Sequence, residues 1–298
     1  MCTDGDCLEQ NSVKTLLQEL LQKTLQNAQA HFEDFTHTDE PESIHQYRVN
    51  LRAVRSVCKE FSNFLTLKRG LFLLDYLKNL QKDTNDLRDT DVFIECIENY
   101  KTKVSPECQN VCHMIENKLL KERKKSILEL FTKQSSAKRE HLFHELFILL
   151  EDKKLYRKNA KKSVYKPIQK IIAKRLKKIE KLSAKLSLEA PNEQFHTLRL
   201  HYKKIRYTTD CACFGEKEDA LKVFSQSFKA TQTSLGEVQD KNTQLERLRH
   251  HSLKNDHCVQ QVINMIEEEL LSNKKHCIEQ SSPHNVKEVR QTFEALFS

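Results

Sequence analysis

Apolar positions recur every three or four residues along most of this chain, the period of a helix with one face turned to a core. Between Ile44 and Phe61 the apolar set is Ile44, Tyr47, Leu51, Val54, Cys58 and Phe61. Runs with this period predict helices from Ser12 to Phe35, Glu42 to Leu65, Leu67 to Lys101 and Pro106 to Phe131, with a further helical stretch from Ser136 to Lys154. The third run contains "KDTNDLRD", whose Asp and Asn residues suit a cap or kink, so an interruption is expected there. Pro41, Glu42 and Ser43 make a good helix start ahead of the apolar pattern. Four glycines and five prolines in 298 residues leave few breaks. Lys, Leu, Glu and Gln favour long helices, and few stretches look strand-like, so the expected class is all-α.

The polar positions carry a second pattern. In "IHQYRVNLRAVRSVCKEF", His45, Arg48, Arg52, Arg55 and Lys59 fall at steps of three and four. On a helix they form one row about 21 Å long beside the apolar stripe, from 14 steps of about 1.5 Å. Surface helices usually intersperse acids to relieve such repulsion; this row contains none. The order recurs in "FHTLRLHYKKIRY": His196, Arg199, Lys203 and Arg206 match His45, Arg48, Arg52 and Arg55 at an offset of 196 − 45 = 151. The offset persists downstream. Asp89 maps onto Asp240, Arg123 onto Lys274 and Arg139 onto Arg290; Val111, Met114, Ile115, Glu116 and Leu119 map onto Val262, Met265, Ile266, Glu267 and Leu270. A register held this long reads as an internal duplication, with a period too long for a solenoid unit. The expected organisation is two repeats, residues 1–155 and 156–298, each an antiparallel helical bundle with short loops, related by an approximate twofold.

Net charge is +8, and its placement matters more than its size. Between Lys153 and Lys185 there are fourteen Lys or Arg and one acid, Glu180. Lys170 and Lys174 belong to an ordered lysine row there, opposite Val164, Ile168, Ile172 and Ile179, and Lys174 corresponds to Lys23 under the shift. Any one of these lysines reads as part of a solvated face; the duplicated His–Arg rows read as a site. Arg's flat fork of donors fits phosphate oxygens, so a linear polyanion would neutralise the row and account for the tolerated repulsion. No run of apolar residues reaches transmembrane length, and "MCTDGDCLEQ" is unlike a signal peptide. The ten cysteines lack zinc-ligand spacing. "CQNVCH" (Cys108, Cys112, His113) and Cys211/Cys213 come nearest, and without a second matching pair they read as reduced thiols in a cytoplasmic protein, with no metal.

These stretches resemble the CHAD family of α-helical domains named for a characteristic histidine. The resemblance lies in "IHQYRVNLRAVRS", "DLRDTDV", "FHTLRLHYKKIRY" and "SLGEVQD" with Leu235, Gly236 and Asp240. It implies two four-helix bundles around a central basic cavity, binding of inorganic polyphosphate, and association with polyphosphate granules. Residue by residue it points to His45, Arg48, Arg52, Arg55, His196, Arg199, Lys203 and Arg206. The second copy departs with Lys203 for Arg52 and Gln239 for Arg88. The E-x-E-x-K signature of a fused triphosphatase domain is absent.

The expected function is therefore polyphosphate binding without catalysis or cofactor. Lys59, Lys23, Lys170, Lys174, Arg123, Lys274, Arg139 and Arg290 extend the two rows; Asp89 and Asp240 orient arginines or cap helices. Nucleic acid is the alternative partner, but few aromatics and no Trp make poor stacking platforms. Metal-assisted phosphoryl transfer wants clustered carboxylates. Asp89 and Asp91 offer a pair in one copy, where the other has only Asp240, and there is no P-loop.

Overall fold

In the computed structural model, residues 12–133, 135–212, 218–250 and 256–296 are described, and among them there are helices but no strands. The helices are α1 (Val13–Thr38), α2 (Pro41–Glu60), α3 (Leu67–Lys82), α4 (Asn85–Lys101), α5 (Pro106–Lys133), α6 (Ser136–Glu151), α7 (Tyr165–Ser183), α8 (Asn192–Ala212), α9 (Glu218–Gln226), α10 (Lys229–Arg249), α11 (His257–Gln280) and α12 (Pro283–Ala295). The expected break falls at Asp83 and Thr84, between α3 and α4. Three helix starts keep the 151-residue offset, 41 + 151 = 192, 67 + 151 = 218 and 106 + 151 = 257, whereas 85 + 151 = 236 misses the start of α10 at Lys229.

Packing groups the chain into two compact units. One holds the residues up to Asp91 together with Glu122–Ile168; the other holds Val92–Lys121 together with those from Gln169 onward. This division follows contacts, whereas a boundary at 155/156 follows the sequence repeat; the two differ because the α4–α5 hairpin has its apolar partners on α10 and α11.

In the first unit α1 and α2 pack as a hairpin. Leu17, Leu21, Leu25, Ala28, Phe32 and Phe35 are buried on α1, as are Ile44, Tyr47, Leu51, Val54 and Cys58 on α2. The Ser12 side chain caps α1 by accepting from the Thr15 N–H. Asp39 ends α1 in the left-handed region, φ 58°, with its N–H donating to Phe35 O. That conformation lets the chain reverse within two residues before Pro41 starts α2. The segment after α6 is tied back by Arg157 N–H to Phe64 O and Thr66 N–H to Leu155 O, both 2.8 Å.

In the second unit Phe93, Ile97, Tyr100, Ile115 and Leu119 of α4 and α5 share a core with Leu245, Leu248, Val259, Val262, Ile263 and Ile266 of α10 and α11. Phe224 packs on Phe228 and Phe293, with ring centroids 4.9 Å apart in each pair, and Tyr202 joins them. Glu269 accepts from Lys103 Nζ at 3.2 Å, from Lys241 Nζ at 2.5 Å and from the Tyr100 hydroxyl.

The cysteines depart from expectation. Cys108 and Cys258 are joined in a disulfide. The partners lie 150 residues apart, so local spacing could not reveal the pair; each sits in the first turn of its helix. Cys112 is a free, buried core residue, and His113 faces Glu116 at 3.6 Å. Cys213 lies outside the described residues.

Candidate anion-binding rows

In the first unit the row on α2 is built against the break between α3 and α4. Arg48 is 7% exposed, and its Nη1 donates to Gln81 O, Thr84 Oγ1 and Asn85 Oδ1, each at 2.9 Å. Gln81 O lies in the last turn of α3, where carbonyls lose their helical partners and the helix dipole is negative. The Asp/Asn-rich break thus supplies the acceptors that hold Arg48. Burial and Arg52 bring the Arg48 guanidinium down to about 10, with Asp89 acting the other way and Arg88 adding to the depression. Arg55 Nη1 donates to Gln81 Oε1, and burial with Arg52 lowers its pKa.

Arg52 stands between them, half-buried. Among the described residues it makes no ion pair or hydrogen bond, and its charge bears on His45, Arg48 and Arg55. His45 is half-buried; burial, then Arg88, then Arg52 and Arg48 lower its pKa against an upward pull from Glu42. These influences favour the neutral ring, which offers one N–H. Lys59 and Lys23 are exposed on α2 and α1.

In the second unit α8 carries His196, Arg199, Lys203 and Arg206, the first exposed and the others half-buried. His196 Nδ1 lies 2.6 Å from Gln239 Oε1, which fixes Nδ1 as the protonated nitrogen. Positions 88 and 239 correspond under the shift, so each histidine has the matching residue beside it, an Arg in one unit and a Gln in the other. The Arg206 guanidinium lies 5.0 Å from the centre of its neighbour's ring, Tyr207. Lys170 and Lys174 are exposed on α7, and Asp240 is exposed on α10.

The second unit also gathers basic residues that the repeat pattern did not single out. His201 Nδ1 is 3.5 Å from Arg175 Nη1; burial, Arg175, Lys204 and Lys178 push its pKa down to about 4. The dense charge of residues 153–185 was the only signal for Arg175 and Lys178. Arg88, which Gln239 replaces in the second copy, has the largest effect on His45 of any charged residue.

Four residues assigned to the rows are held by other parts of their own unit. Arg123 Nε donates to Asp91 Oδ1 at 2.6 Å, while Nη1 and Nη2 donate to Asp39 Oδ2 at 3.0 Å and Asp39 O at 2.6 Å. Lys274 Nζ donates to Ala190 O at 3.4 Å and lies over the Phe195 ring. Since 39 + 151 = 190, the matching cation holds the matching carbonyl ahead of each His–Arg helix. Arg139 is 3% exposed, stacks 3.4 Å from the Phe32 ring centre and donates to the Tyr47 hydroxyl. Arg290 pairs with Glu180 at 3.0 Å. These placements give the four cations a fold-holding role, because each is engaged by a partner the helical period cannot show.

A family model described as the CHAD domain matches residues 19–249. No curated protein matches the chain. Among solved structures, the CHAD domain from the plant Ricinus communis aligns with a TM-score of 0.69 at 17% identity, covering 95% of this chain and 92% of that one. PptA from Streptomyces chartreusis aligns with a TM-score of 0.64 at 10% identity, covering 96% and 99%. At such identities the likeness to both structures is one of fold.

Proposed function

The chain belongs to the CHAD family, and from that premise and the charge around Arg52 we propose that it binds inorganic polyphosphate through the His–Arg rows of both repeats. The carrying observation is Arg52: a half-buried guanidinium with no carboxylate against it among the described residues, placed among His45, Arg48 and Arg55. Each like-charge pair at helical spacing destabilises the free protein by a few tenths of a kcal/mol, and a phosphate chain reverses that sign. Arg48 and Arg55 are pre-positioned by Gln81, Thr84 and Asn85, so little side-chain freedom is lost when they meet phosphate. Arg48, Arg52, Arg55, Lys59 and His45 serve as ligands in one unit, and Arg199, Lys203, Arg206 and His196 in the other, with Lys23, Lys170 and Lys174 on the flanks. Arg123, Arg139, Lys274 and Arg290 are left out because they hold the fold. The role is binding without turnover, and a protein so equipped would gather on polyphosphate granules.

Titration of the full chain with long-chain polyphosphate tests this. Counterion release makes affinity fall by about 10³-fold between 50 and 200 mM salt if six or more phosphates are engaged. Arg52→Glu combined with Arg206→Glu should abolish most binding at low salt, whereas Lys118→Glu, on an exposed part of α5, should change it little. No binding by the wild type at 50 mM salt would reject the proposal. Displacement by RNA or DNA at equal phosphate concentration would replace the ligand, and phosphate release with Mg²⁺ would replace the role.

A further inference from the structure

We propose that Cys108, His257 and Cys258 form a redox-gated site for a soft divalent cation, zinc by its ligand chemistry: a disulfide when oxidised, a Cys₂His ligand set when reduced. The site belongs to the second unit and stands apart from the His–Arg rows. Cys108 lies in the first turn of α5 and Cys258 in the first turn of α11, whose starts correspond under the 151-residue shift. The two cysteines do not correspond to each other, since 108 + 151 = 259. The cluster therefore depends on how the two helix starts meet.

The third member makes this more than a cystine. His257 Nδ1 is 3.9 Å from Cys108 Sγ and 4.0 Å from Cys258 Sγ, and the three donor atoms lie within 4.8 Å of one another. Zinc bonds to sulfur at about 2.3 Å and to imidazole at about 2.0–2.1 Å, so a tetrahedral site has an S···N edge of about 3.6 Å. The imidazole already stands within about half an ångström of that place. Its far nitrogen, Nε2, is 3.4 Å from Gln261 Nε2, the amide nitrogen. Turning that amide over on metal binding would bring its oxygen to the ring, so that Nε2–H donates to Gln261 and Nδ1 is left bare toward the sulfurs, the arrangement by which outer partners orient metal-bound histidines. Cys258 is half-buried and His257 exposed, which gives a reductant and an ion a way in. The fourth position is left for water.

The chemistry balances with a dithiol as reductant. One dithiol sulfur attacks the Cys108–Cys258 bond, and its second sulfur closes the dithiol into its own disulfide. Two electrons and two protons pass to the protein, leaving two thiols. Zn²⁺ then displaces those two protons as the thiolates coordinate. The first turn of a helix and a neighbouring imidazole both favour thiolate. Exchange with another disulfide takes the two electrons back and expels the ion.

The test uses full-length protein, one portion kept oxidised and one reduced with a dithiol and desalted without air. Each is titrated with Co²⁺, whose tetrahedral thiolate complexes absorb in the near-ultraviolet and visible, and then with Zn²⁺. Reduced protein should bind one equivalent of Co²⁺, displaced by Zn²⁺, and oxidised protein none. Cys258→Ser should weaken binding at least about 100-fold and halve the thiolate band; His257→Gln should weaken it about 10–100-fold while leaving that band. Equal uptake by the oxidised and reduced forms, no uptake by the reduced form, or undiminished uptake by Cys258→Ser would overturn the metal site. A peptide map of oxidised protein without a linked Cys108–Cys258 pair would overturn the gate. Polyphosphate binding is not read in any of these arms, so its failure would leave the proposal standing.

Discussion

His45 and His196 occupy matching positions in unlike surroundings. Burial and the nearby Arg88 lower the pKa of His45, while the ring of His196 is held by Gln239. Giving the first copy the residue of the second, Arg88→Gln, should raise the His45 pKa, read from its imidazole resonances across a pH titration. Bound polyphosphate should raise it as well, so affinity should climb as pH falls through the His45 range; an unmoved resonance would remove His45 from the ligand set. The periodic row itself was legible in the sequence, because a step of three or four fixes a shared face. The clamps were not. Arg123 looks like any basic residue until Asp39 and Asp91 are brought to it by α1 and α4, and Arg139 until Phe32 and Tyr47 enclose it. Asp91 is 5% exposed and its charge is matched by Arg123. Arg123→Met should therefore destabilise by about 3 kcal/mol in urea, the usual consequence of stranding a buried carboxylate. Adding Asp91→Asn should restore part of it.

At the scale of elements, the helical pattern told where most helices lie and that the third run would break, since Asp and Asn punctuate it. It did not tell which helix ends meet, and the tie from α11 to α4 and α10 through Glu269 is of this kind. Lys241, the Tyr100 hydroxyl and Lys103 overcome burial and hold the Glu269 carboxyl down to about 2. A depressed carboxylate adds stability that is complete above its unfolded value near 4.3 and is lost as pH falls toward the folded value. About a third of the side chain is exposed, so the contribution is about 1 kcal/mol. Glu269→Gln should lower the melting temperature at pH 7, and the gap to wild type should close between about pH 5 and pH 2. A gap of constant size across that range would show that shape rather than charge is responsible.

For the whole molecule, sequence correspondence and packing draw different lines. The repeat would separate residues 1–155, yet Phe93, Ile97, Ile115 and Leu119 within that stretch are buried with apolar residues of α10 and α11. Residues 1–155 produced alone should expose this surface. They should bind a hydrophobic dye and melt with less cooperativity than the intact chain, and residues 156–298 added in trans should suppress both effects. A sharply melting, dye-silent fragment would make the repeat an independent folding unit. No helix among the described residues is long and apolar enough to cross a membrane.

The grip of Arg123 on Asp39 O and of Lys274 on Ala190 O meets the chain at two corners that carry unlike side chains. A hold taken on a main-chain oxygen is indifferent to the side chain attached to it. Substitution at that corner could proceed, leaving an acid in one half and a methyl group in the other, without the entrance to either helix losing its tether.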